Sequence, residues 1–322
     1  MPAEAPGAAF LGVDGGGTKT AFCLIDGAGT VLAEAETGTS AFLSVGFAEV
    51  ERVLAAGIAE ICGKAGFSRD EIARAFFGLP AYGEVPDAIL RLDALAARAL
   101  GHGRLSCDND MVAGWAGSLG LADGINVIGG TGSMTYGERR GRGLRCGGWG
   151  EIVGDEGSGF WIGREALRLF SRMSDGRLSR TPLYDRLRSH LGLRADLELV
   201  DIVHNRWQGG RTAIAALARL VGQAAAEGDE TAEGLFRDAA SELALLVATT
   251  RAGLGFAADE RVPVSWSGGL FSAGSPLPAL FAARLEADPR PYRLVAPLHS
   301  PAFGAALNAR RAFEKETNPF DG

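Results

Sequence analysis

Glycine is concentrated in this chain, and its clusters fall at the ends of short apolar runs. Of 322 residues, 47 are glycine, roughly twice an average usage of about 7%. Gly12-Val13-Asp14-Gly15-Gly16-Gly17-Thr18-Lys19-Thr20 takes over from the apolar run Ala9 to Val13, and Gly129-Gly130-Thr131-Gly132-Ser133 follows Ile125 to Ile128. Gly268-Gly269 ends the run Val262 to Trp266. A chain that turns this sharply beside buried strands builds sheets with tight connections. Backbone without Cβ atoms also lets N–H groups close on an anion. The first run has neither the Walker spacing nor the Rossmann fingerprint.

Around these turns the pattern is α/β. Strands at Ala9–Val13, Thr20–Ile25 and Thr30–Ala35, joined by glycine turns, predict an antiparallel meander. Val50, Val53, Leu54, Ile58 and Ile61 predict a helix with one buried face over Gly46–Ala65. A strand at 73–79, a helix at 86–100, a strand at 104–107 and a short helix at 111–119 follow, which is the alternation of a layered α/β fold. From Gly124 the grammar repeats, with strands at 125–128 and 134–138 about a glycine turn. Two related halves are therefore expected, 1–122 and 123–322. The second continues as helices from Gly159 to Gly255, a strand at 262–266, a helix near 276–287, a strand near 292–295, a last helix from Pro301 and a loose tail from Glu316.

Composition excludes several classes. With 32 basic and 39 acidic residues the net charge is −7, which argues against nucleic acid or an anionic membrane as partner. Cys23, Cys62, Cys107 and Cys146 lack a Cys-x-x-Cys pair and read as reduced thiols. Residues 1–9 show neither the basic region nor the apolar run of a signal peptide, and no stretch reaches the ~20 apolar residues of a membrane span. A cytoplasmic protein is expected. His102, His190, His204 and His299 have no metal-ligand spacing.

Five segments carry chemistry. In the first glycine run, Thr18 and Thr20 add hydroxyl donors, and Asp14 can hold a Mg²⁺ ion through water. Alone, the run is equally a hairpin turn capped by an aspartate. The second run has the same content, and two such turns can grip a polyphosphate. Between them, Ser106-Cys107-Asp108-Asn109-Asp110-Met111 joins a strand to a helix. A carboxylate there can serve as general base or simply cap the helix, and chemistry alone leaves Asp108 and Asp110 both open. Cys146-Gly147-Gly148-Trp149-Gly150 followed by Gly154-Asp155-Glu156-Gly157-Ser158 combines an aromatic platform with carboxylate acceptors, the means by which sugars are bound. Ser265-Trp266-Ser267-Gly268-Gly269 would let a flat adenine and its ribose lie on bare backbone.

Taken together and in this order, the segments resemble the N-acetylglucosamine kinases, the amino-sugar kinase branch of the BadF/BadG/BcrA/BcrD-type ATPases, across most of the chain. The pairing of Cys146–Gly150 with Gly154–Ser158 is the specific part; the glycine loops identify only the superfamily. The resemblance implies a two-lobed actin-like (ribonuclease H-like) ATPase fold with a cleft between lobes, ATP and Mg²⁺ as cofactors, a small amino sugar as substrate and a homodimer. It puts the catalytic aspartate on Asp110, which Gly117 follows seven positions later. The implied nucleotide contacts are Asp14 to Lys19 (Gly15, Gly16, Gly17 and Thr18 among them), Gly130, Thr131, Gly132, Gly268 and Gly269. The implied sugar contacts are Gly148, Trp149, Gly150 and Asp155, and the implied reaction is attack of a sugar 6-hydroxyl on the γ-phosphate.

Two positions depart from the family pattern. Ala41 stands where many relatives carry a sugar-contacting asparagine, with Ser40 as its substitute, and Tyr82 occupies a turn that is usually small. Glucosamine or another hexosamine is the alternative substrate. Two other classes stay in view: an ATP-driven activator holding an iron–sulfur cluster through Cys107 and Cys146, and a sugar sensor without catalysis.

Overall fold

The computed structural model describes residues 7–317, which form two compact units. One runs up to Ala122 and resumes at Ala296; the other is Asp123–Val295. Among the described residues no helix is long and apolar enough to cross a membrane.

The first unit opens with the expected meander: β1 (Ala9–Gly15), β2 (Lys19–Asp26) and β3 (Val31–Gly38). Helix α1 (Phe42–Ala65) follows, bent at Gly46, where φ is 76°. Its stripe of Val50, Val53, Leu54, Ile58 and Ile61 is buried as the spacing predicts. Then come β4 (Ile72–Leu79), α2 (Ile89–Leu100), β5 (Leu105–Asn109) and α3 (Asp110–Leu119). The strands lie in the order β3-β2-β1-β4-β5, with β4 parallel to β1 and β5 parallel to β4.

The second unit repeats this plan. β6 (Gly124–Gly129), β7 (Ser133–Arg139) and β8 (Arg142–Gly147) form an antiparallel meander. Helices α4 (Gly159–Ser174), α5 (Pro182–His190), α6 (Glu198–Asp201), α7 (Arg211–Ala226) and α8 (Glu230–Gly253) come next. β9 (Val262–Ser267), α9 (Leu277–Glu286) and β10 (Tyr292–Leu294) complete it. The order β10-β9-β6-β7-β8, with β9 parallel to β6, mirrors the first sheet strand for strand. The two related halves expected from the sequence are therefore present as topology. Strand β8 was not expected; at the sheet's edge it has no fully buried face to leave an apolar pattern.

The last helix corrects the expected division. α10 (Pro301–Thr317) was placed in a second lobe of 123–322, but it packs on β1, β2, β4 and α3 of the first unit. Small residues permit the approach. A Cβ on Gly12 of β1 would lie 2.1 Å from the Ala302 carbonyl oxygen, and one on Gly304 would lie 2.0 Å from the Gly117 nitrogen. The helix continues through Glu316 and Thr317, where a tail was expected. The rest of that tail, like the first residues of the N-terminal segment, lies outside the described residues.

Candidate active site

In the first unit, parallel pairing sets Asp14 beside Gly78 and Gly78 beside Asp108 at the strand ends. Gly78 has no side chain to hold α3 away: a Cβ there would lie 3.2 Å from Asp110 Cα and 3.1 Å from Ala113 Cβ. Asn109 caps α3, its side chain accepting from Met111 N–H at 3.2 Å. Asp110, the first residue of the helix, thereby comes within electrostatic reach of Asp14. Burial first, and then the Asp110 carboxylate, push the Asp14 carboxyl up to about 8, with Lys19 acting in the opposite sense. Asp108 is exposed and accepts from the Asn109 N–H at 2.7 Å. The fold thus treats the two aspartates differently and sets Asp110 against Asp14.

The first glycine turn is tight and open to solvent. Gly16 N–H donates to the Lys19 carbonyl at 2.9 Å, and the Thr39 hydroxyl donates to the Gly16 carbonyl at 2.7 Å. Gly17 and Thr18 are exposed. Lys19 is taken up by Glu36 on β3, so its ammonium is part of a surface ion pair. Ser40 is only 1% exposed and lies against Gly15, where a Cβ would stand 2.3 Å from its Oγ. Thr20 is buried in β2.

Tyr82 is also accounted for by packing: its hydroxyl donates to Asp93 of α2 at 2.9 Å, and Asn109 Nδ2 donates to its carbonyl at 3.2 Å. Ala41 has no polar side chain and stands at the start of α1. Cys107, beside Asp93, has its thiol pushed up mainly by burial, and Cys146 is raised for the same reason. Both are the reverse of a poised thiolate ligand.

In the second unit the hairpin between β6 and β7 is closed by Gly130 N–H donating to the Gly132 carbonyl at 2.9 Å. The Gly130 carbonyl in turn accepts from Gly159 N–H at 2.8 Å, and that of Thr131 from Phe160 N–H at 3.2 Å, which ties the hairpin to the start of α4. Gly268, at φ 97°, comes so near that a Cβ would be 2.4 Å from the Gly129 carbonyl oxygen. Gly130, Thr131 and Gly269 line one side of a groove of about 1040 Å³; Thr212, Ala215 and Arg219 of α7 line another. Bare glycine backbone at one edge and a lining of mixed polar and apolar character are compatible with a nucleotide. The two glycine segments expected to serve a nucleotide in this half do meet.

The expected sugar segment divides in two. Gly147, Gly148 and Gly150 all have φ between 72° and 83°, Gly148 N–H donates to the Ser133 carbonyl at 3.0 Å, and Trp149 is 77% exposed. Asp155, by contrast, is 3% exposed and paired with Arg211, a residue that no sequence motif marked. A cation at the start of a helix, well down the chain from its carboxylate, leaves no local signal.

Asp14, a hard oxygen donor at the end of β1, has the chemistry to hold a hard dication through its water shell. Among the described residues no group of three or more His, Cys, Asp or Glu could cage a metal.

A family model described as the BadF/BadG/BcrA/BcrD ATPase family matches residues 11–309. An N-acetylmuramic acid/N-acetylglucosamine kinase of Clostridium acetobutylicum is 32% identical over 93% of this chain and 97% of its own. A Chromobacterium violaceum protein solved as a proposed N-acetylglucosamine kinase is 33% identical, with a TM-score of 0.72 over 93% of this chain and 98% of that one. The ROK hexokinase of Thermus thermophilus, 17% identical, has a TM-score of 0.60 over 95% of this chain and 99% of its own, a likeness of fold.

Proposed function

This chain belongs to the BadF/BadG/BcrA/BcrD ATPase family, and from that premise we propose that it transfers the γ-phosphate of ATP to the 6-hydroxyl of an amino sugar, with N-acetylglucosamine the first substrate to test. The observation that carries the reading is the placement of Asp110 at the head of α3, against Asp14 at the end of β1. A general base on a helix start is rigid, and phosphoryl transfer depends mainly on positioning and electrostatics.

In this reading Asp110 accepts the proton of the 6-hydroxyl as that oxygen bonds to the γ-phosphorus, and the bond to the leaving ADP oxygen breaks. Those backbone amides of the Gly15–Thr18 and Gly130–Gly132 turns that do not already donate within the turns, with the hydroxyls of Thr18 and Thr131, hold phosphate oxygens. Gly268 and Gly269 flank the adenosine. Gly148, Trp149, Gly150 and Asp155 hold the sugar. Mg²⁺, held by Asp14 through water, would neutralise phosphate charge when bound. The cytoplasmic location expected from the sequence and the dimer implied by the resemblance belong to the same proposal.

The test is ADP release from ATP and Mg²⁺ against a panel of N-acetylglucosamine, N-acetylmuramic acid, glucosamine and glucose. Turnover with an N-acetylated amino sugar is expected, and no release above background with any of them ends the reading. Asp110→Asn should lose roughly three powers of ten or more in kcat, at the upper end of what a positioned base contributes, with nucleotide affinity nearly unchanged. Near-normal turnover in that variant would remove Asp110 from its role.

A further inference from the structure

Arg211, the first residue of α7, touches two segments to which the proposal gives different tasks. Its Nη2 donates to Asp155 Oδ2 at 2.5 Å, and its Nε stands 3.4 Å from Glu151 Oε2. The other oxygen of Asp155 accepts from Ser133 N–H at 3.4 Å. The ion pair rests on the second glycine hairpin: a Cβ at Gly132 would be 2.4 Å from Arg211 Nη2 and 2.8 Å from Asp155 Oδ2. The helix that Arg211 begins goes on to line the groove through Thr212, Ala215 and Arg219.

From this geometry we infer that Arg211 is a positioning residue: it holds the buried Asp155 carboxylate ionised and oriented for the sugar, and joins the sugar segment to the phosphate hairpin. The sugar's part in this rests on the kinase reading above; the ion pair does not. A carboxylate out of water keeps its charge only beside a counter-charge and hydrogen bonds. Burial pushes the Asp155 carboxyl up, the Arg211 guanidinium and the Ser133 amide pull it back, and Glu151 pushes it up. Glu151 and Arg211 are the charged groups acting on it. Loss of Arg211 therefore raises the pH at which Asp155 ionises.

Arg211→Gln and Arg211→Lys in the full chain test this. In Arg211→Gln, kcat/KM for N-acetylglucosamine should fall on the order of 100-fold, and KM for ATP should change little. The acid limb of the pH profile for the sugar should move to higher pH, and Arg211→Lys should recover part of both effects. Sugar and ATP parameters falling together with an unmoved acid limb would show a merely structural role and overturn the inference, as would no change at all. A carboxyl ¹³C NMR titration, with Asp155→Asn for assignment, reads the pair without turnover. Asp155 should titrate higher in Arg211→Gln than in the unaltered chain, and an identical titration overturns the inference. A chain that phosphorylates no sugar would defeat the kinase reading and still leave this second measurement to decide the role of the pair.

Discussion

The fold gives a charge on Asp14 little support. Burial and the neighbouring Asp110 push its carboxyl up to about 8, and Lys19, the group opposing them, is already engaged by Glu36. In the metal-free protein Asp14 thus keeps its proton at pH values where the unfolded chain, near 3.8, has lost it. A proton held only by the folded state means that stability falls as pH rises from the ordinary carboxylate range to about 8, and levels off above. Asp14→Asn removes this dependence. The variant should melt a few degrees higher (about 2–4 °C) near neutral pH by calorimetry, and should be inactive as a kinase; a lower melting point would contradict the account. The signal for Asp14 is local, an aspartate between an apolar run and three glycines, and so could be read from sequence. The packing partners of Ser40, Tyr82 and Asp155 leave no such local mark: Gly15, Asp93 and Arg211 lie 25, 11 and 56 positions away, a separation that periodicity does not span.

Elements followed the same division. Helix α1 was legible because one stripe of it meets the sheet, and the first meander because its turns are glycine. Helix α3 is buried on all sides from Met111 to Leu119, and its neighbours on one of those sides come from the far end of the chain. Gly117, which marks Asp110 in the family pattern, has its physical reason in that packing. A Cβ on it would be 2.3 Å from the Ser300 carbonyl oxygen, and α3 and α10 meet at Gly117 and Gly304. Since the obstructing atoms are backbone, Gly304→Ala can be accommodated only by moving a helix. It should cost about 1–3 kcal/mol of stability by denaturant unfolding. Gly63→Ala, on the exposed face of α1 with nothing within 4 Å, should be neutral or stabilise by up to ~1 kcal/mol. Equal effects at the two positions would show that the crossing is not tightly packed. The same shift of α3 would displace Asp110, so Gly304→Ala should also lower kcat.

At the scale of the whole molecule, the second unit is one continuous stretch, and the first is made from both ends of the chain. The sequence boundary near 122 follows from the repeated strand–turn–strand grammar. The return of α10 to the first unit has no such mark, because the small residues that allow it, Gly12, Gly117 and Gly304, read locally as turn and helix glycines. The consequence is an asymmetry in independent folding. Fragment 123–295 contains its complete sheet and its own hydrophobic cluster, from Ile125 to Leu285, and should give a cooperative thermal melt alone. Fragment 7–122 contains its complete sheet too, but lacks the helix that covers Gly12 of β1 and the Gly117 face of α3. Without that cover the apolar surface of α3 and β1 meets water at roughly 25 cal/mol per Å², against a net stability of only about 5–15 kcal/mol for an ordinary domain. Circular dichroism of fragment 7–122 should therefore show partial helix with no sharp transition. Addition of a peptide covering 296–317 should restore one, with a midpoint that rises with peptide concentration, as expected when a ligand binds only the folded state. A sharp melt of 7–122 alone, unaffected by the peptide, would mean that α10 only decorates the first unit.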